Sequence, residues 1–136
     1  MTSEILSEGV KQIIGTMREL IENKIAIKEK KVEGDVWKYS GEEFLSEVSK
    51  LENEMRKQGA NVEQCNAYHC VRGANIHNLT GRLFLIPVNG TPTLTKGGPL
   101  LPGSRYFFEG QPSKEKEGRG IPLVGDGIDI VIVVLK

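Results

Sequence analysis

Gly127-Ile128-Asp129-Ile130-Val131-Ile132-Val133-Val134-Leu135 is the most apolar and most β-prone run in the chain. Ile128, Ile130, Ile132 and Val134 fall on one face of a strand, and Val131, Val133 and Leu135 on the other. Apolar residues on both faces mean a strand that is covered on both sides. Such a strand lies at the centre of a sheet, or between a sheet and a helix, and the remaining residues must supply the cover. An aspartate at Ile132 is therefore expected to bury an unpaired charge and unfold the domain.

The chain's 136 residues suffice for one domain with a real core, spanning 1–136. Lys plus Arg is 18 and Asp plus Glu is 18, so the formal net charge is zero. That balance argues against a dedicated nucleic-acid binder and against a simple electrostatic membrane anchor. Most of the 16 glycines follow residue 72. A helical first half, 1–60, and a turn-rich β half, 61–136, follow from this. The expected fold class is α+β: two amphipathic helices packed on a mostly antiparallel β-sheet or small β-sandwich. Met1-Thr2-Ser3-Glu4 does not open a basic segment followed by an apolar core. The expected compartment is the cytoplasm, with release by a non-classical route left open. Two cysteines agree with this.

Residues 4 to 22 carry Leu6, Val10, Ile13, Ile14, Met17, Leu20 and Ile21 at spacings of three and four, the mark of an amphipathic helix. Ser3 is the expected N-cap. The stripe either packs on the domain's own sheet or docks on a partner or membrane. Its candidate contact residues are Leu6, Val10, Ile13, Met17 and Leu20. Ser40-Gly41-Glu42-Glu43 has the form of a capping box, and a second helix is expected from Gly41 to Gln58 with Gly59 as its left-handed stop. Between the helices, Gly34-Asp35 marks a turn between two short strands.

Residues 62 to 72 alternate as a strand does. Arg82 to Val88 is a further strand, with Pro87 at an edge or bulge. Ser104 to Phe108 is another, and Gln111 to Gly120 reads as a mobile loop. Gly125-Asp126-Gly127 carries a hairpin signal leading into the terminal strand. On a strand, Tyr106, Phe107 and Phe108 cannot all face one core, so they are candidate contacts for protein or lipid unless both faces are buried.

All cysteines and histidines, Cys65, His69, Cys70 and His77, sit within thirteen residues. A zinc site would need closer pairing. On a strand, Cys65 and His69 would lie about 13 Å apart at the usual rise. Cys65 and Cys70 would face opposite ways, against a disulfide. No serine stands in a nucleophile elbow, and no glycine loop precedes a helix that could hold phosphate. No cofactor or metal is expected.

Several short pieces together resemble actinoporin-like β-sandwich proteins. They are Asn23-Lys24-Ile25-Ala26-Ile27, Glu33-Gly34-Asp35-Val36-Trp37, Asn78-Leu79-Thr80-Gly81, Leu101-Pro102-Gly103 and Leu123-Val124-Gly125-Asp126-Gly127. The resemblance implies lipid binding through exposed aromatics and a pore lined by the N-terminal helix. A helix from Gly41 to Gln58 departs from that family's pattern, as does the low count of one Trp and three Tyr. The expected function is non-catalytic: a binding or self-assembly module, working as a homo-oligomer or with a protein partner and without nucleic acid. The alternatives are a membrane-active protein and a small metalloprotein or enzyme using the Cys/His cluster.

Overall fold

A computed structural model of the chain describes residues 1–110 and 120–136. The expected mobile loop, apart from Gly120, lies outside the described residues. The elements run β1 (Thr2–Ile5), α1 (Glu8–Glu22), β2 (Ile27–Glu33), β3 (Val36–Ser40), α2 (Glu42–Lys57), β4 (Val62–Cys70) and β5 (Gly73–Ile76). They continue with β6 (Arg82–Asn89), β7 (Thr93–Leu94), β8 (Gly98–Pro99), β9 (Ser104–Glu109), β10 (Ile121–Val124) and β11 (Ile128–Leu135). One antiparallel sheet has seven strands in the order β1-β9-β6-β11-β4-β3-β2, and a second has four in the order β5-β10-β7-β8. The fold is α+β, in three layers.

The terminal strand β11 stands fourth of seven, between β4 and β6. Its two faces feed two separate cores. Val131, Val133 and Leu135 pack with the helix residues Val10, Ile14, Met17, Phe44, Leu51 and Met55. Ile128 and Ile130 pack the other way, with Leu83, Leu85, Leu94, Leu100 and Leu123. A two-sided apolar strand is thus used on both sides. Ile132 departs from the expectation. It is only half-buried, because the small second sheet does not extend over it.

α1 begins later than its periodicity suggests. Thr2–Ile5 pairs with Ser104–Phe107 as an edge strand, so the N-cap is Ser7, whose Oγ accepts from the Val10 N–H at 3.4 Å, and not Ser3. Leu6 still reaches the core. At the end of the helix Lys24 takes φ +58, with Lys24 and Ile25 N–H donating back to Ile21 and Leu20 carbonyls. α2 has Gly41 at its N-cap position and no side-chain cap. Ser40 cannot serve there because it is the last residue of β3, paired with Ile27. The stop is as expected: Gly59 at φ +93 places its N–H on Arg56 O and that of Ala60 on Met55 O, both at 3.0 Å, which satisfies carbonyls left over by the last turn.

Gly34-Asp35 turns β2 into β3. Pro87 lies opposite Ile130 beside a register shift in the β6–β11 ladder, where Val88 is the extra residue, so it sits next to a bulge inside the sheet. Gly125-Asp126-Gly127 is not a hairpin turn. β10 pairs with β5 and β7 in the small sheet, whereas both edges of β11 are taken by β4 and β6. The turn therefore carries the chain from one sheet to the other.

Candidate functional site

Two features are built around β11, one on each face. On the helix side sits Asp129, 5% exposed, the only charged residue of the strand. Its Oδ1 accepts from Tyr39 Oη at 2.5 Å and from His69 Nδ1 at 2.8 Å, and its Oδ2 accepts from Asn89 Nδ2 at 3.1 Å. The three donors come from β3, β4 and β6. One buried carboxylate thus laces four neighbouring strands, and a buried charge is tolerable when fully hydrogen-bonded in this way.

Asp129 fixes the His69 ring through Nδ1, an arrangement that enzymes use to prepare a base. Here the ring edge meets Tyr39, with centroids 6.2 Å apart. Among the described residues no hydroxyl or thiol is hydrogen-bonded to the imidazole. The network therefore reads as a lock on the sheet. Replacing Tyr39 with Phe removes a charge-assisted bond from a buried carboxylate, and about 2 kcal/mol of stability should go with it. Chemical denaturation checks this. A loss close to zero would show that the carboxylate does not depend on the phenol.

The opposite face carries a cleft. Strands of two to four residues cannot cover a sheet whose central strands have eight or nine. Cover ends along β5, and the β2–β3 turn rises beyond the gap. Between them lies a half-enclosed cleft of about 350 Å³, within the usual range for small-molecule sites. Its floor is Tyr68 and Cys70 from β4 with Ile132 and Val134 from β11. One wall is Val32, Asp35 and Val36, and the other is Ala74, Asn75 and Ile76, with Gln64, His77 and Leu79 completing the lining. Gly73 lets the wall close. At φ +125 it brings β5 so near β10 that a Cβ there would lie 2.5 Å from Leu123 O.

The expected contact residues go elsewhere. Leu6, Val10 and Met17 are buried in the helix-side core, and Ile13 and Leu20 pack half-buried against it. Tyr106 is buried, its Oη accepting from the Leu101 N–H at 2.6 Å. Phe107 packs half-buried on Phe84, ring centroids 5.4 Å apart, and Phe108 packs half-buried on the second core. The three aromatics are thus shared between the two faces of a sheet covered on both. None of these eight residues lines the cleft.

The Cys/His cluster is divided by the sheet. Cys65 lies in the helix-side core and Cys70 in the other, both as free thiols. His69 goes to Asp129 and His77 to the cleft. Among the described residues no group of three or more His, Cys, Asp or Glu is placed to hold a metal ion, and no helix is long and apolar enough to cross a membrane.

Burial pushes the Cys65 thiol up to about 12, with Glu52 adding to the rise and Arg56 opposing it. Burial, helped by Asp129, pushes Cys70 up to about 11. The thiolate is the reactive form, so both thiols should be inert at neutral pH. An unfolded chain releases these protons near 9.0, the usual thiol value, whereas the folded chain holds them. Their contribution is therefore complete below pH 9 and is lost as pH rises through about 11 to 12. The denaturant midpoint should fall over that range, and Ellman's reagent should label neither thiol until denaturant is added. Fast native labelling would contradict the burial.

Comparison of the chain with protein-family models, with curated proteins and with solved structures finds no match. What the site does must be read from its own geometry.

Proposed function

We propose that the chain is a non-catalytic binding module and that its binding site is the cleft between the two sheets. One observation carries the proposal: Ile132, on the most central strand of the fold, is left half-open at the floor of a concave gap. A strand that is apolar on both faces is ordinarily covered on both. An apolar cleft with a few converging polar groups is the usual form of a ligand site. The helix stripe, by contrast, is taken up by the chain's own core. The test is binding of N-phenyl-1-naphthylamine, a fluorescent apolar probe, to the wild type and to Ile132→Trp, which fills the cleft from its floor. The wild type should bind one probe saturably and the variant none, with the melting temperatures of the two proteins close together. Equal binding by both, or none by the wild type, would overturn the proposal.

A further inference from the structure

The cleft also carries information about what it would hold. We infer that its ligand is an uncharged, mainly apolar small molecule with one hydrogen-bonding group, and that anions are excluded. This rests on the cleft being a binding site. None of its lining residues is Lys or Arg, so among the described residues the ring of His77 is the one lining group that can carry positive charge, and no permanent cation faces a phosphate, sulfonate or carboxylate. Both helices lie on the opposite face of the large sheet, so no helix N-terminus points its free N–H groups into the cleft. The one carboxylate in the wall, Asp35, would repel an anion. An anion entering the cleft would lose water and find no permanent counter-charge, which is the costly case. A cation gains little either, because Asp35 is exposed and its attraction is screened by water.

The polar atoms that do face the cleft suit a neutral partner. Burial raises the Tyr68 phenol above its usual value, against a side-chain hydrogen bond with Asn66 that lowers it, so the phenol stays a neutral donor. Gln64, paired with Val134 on the cleft side of the sheet, presents an amide that both donates and accepts. The aliphatic remainder, Val36, Ala74, Ile76, Ile132 and Val134, supplies apolar surface. A hydroxyl, amine or carbonyl on an apolar body can meet the Gln64 amide or the Tyr68 phenol while the body covers Ile132.

The experiment uses a matched pair of probes on the full chain. N-phenyl-1-naphthylamine and 8-anilinonaphthalene-1-sulfonate share their rings and differ by the sulfonate. The neutral probe should bind at least about tenfold more tightly, a gap of roughly 1.4 kcal/mol. Gln64→Lys, at an exposed position in the cleft lining, should raise affinity for the sulfonate several-fold. Equal binding of the two probes by the wild type would overturn the charge inference while leaving the cleft as a site. A sulfonate that stays excluded from a folded Gln64→Lys protein would overturn it too, since size would then be the cause. Failure of the neutral probe to bind at all would instead remove the site itself.

Discussion

Val133→Asp should yield no folded protein, whereas Ile132→Asp, one residue earlier on the same strand, should remain folded. Val133 is fully buried under the helices, paired with Cys65 on one side and Phe84 on the other. Its packing neighbours form a buried apolar cluster, and the donors on that face, Tyr39, His69 and Asn89, are already committed to Asp129. A carboxylate there has no donor and no route to water, and the loss should exceed about 4 kcal/mol, most or all of the stability of an ordinary domain. Ile132 points into the cleft, where an aspartate can keep part of its hydration. Its cost should be about 1–2 kcal/mol, mostly lost apolar contact. Circular dichroism and chemical denaturation of the two variants read the difference. A folded Val133→Asp protein would show that β11 is not sealed by the helices, and an unfolded Ile132→Asp protein would show that the cleft is closed in solution.

Removal of residues 1–22 should be equally damaging. The deletion takes away an edge strand and, with α1, the buried residues Leu6, Val10, Ile14 and Met17. Each such side chain contributes about 1.5–3 kcal/mol when fully buried, so the four together match the whole stability of a small domain. The deletion also strips cover from Ile86, Val88 and Val131 on the sheet and from Leu51 and Met55 on α2. Two polar ties go as well: Arg105 loses Glu4, at 2.8 Å, and Gln58 loses Ser7 Oγ, also at 2.8 Å. The truncated chain should aggregate on expression. A truncated chain that stayed folded and monodisperse, and lost only assembly or lipid binding, would place α1 in the service of a partner or a membrane, the role that the actinoporin-like resemblance implies for it.

The sequence makes much of the fold legible because the deciding signals are local. The alternation in 128–135 announces a strand buried on two sides, and the stripe from Val10 to Ile21 announces α1. Gly59 marks the end of α2 because the left-handed conformation belongs to that residue. The failures have one cause in common, since each depends on a distant partner. Thr2–Ile5 becomes strand through pairing with β9, which overrides a helical start at Ser3. Gly125-Asp126-Gly127 has hairpin chemistry, yet β10 and β11 belong to different sheets. Ile132 has the same local pattern as Ile130, and only the short reach of the small sheet leaves it open. The cleft was hidden for that reason: it is made by what the second sheet fails to cover. Asp129 is different. A single carboxylate inside a run of eight aliphatic-rich residues was visible in the sequence, and a charge at that position requires a buried partner set. The partners themselves, Tyr39, His69 and Asn89, become neighbours only through strand order.

An amide chemical-shift map of the labelled protein titrated with N-phenyl-1-naphthylamine tests the cleft directly. The cleft should appear as one contiguous set of shifted amides from Tyr68, Ala74, Asn75, Ile76 and Ile132, saturating together with a single affinity. Amides on α1 and α2, which cover the far face of the sheet, should barely move. Shifts centred on α1 or on Tyr106 to Phe108, or an unchanged spectrum at saturating probe, would contradict a binding module that works through its inter-sheet cleft.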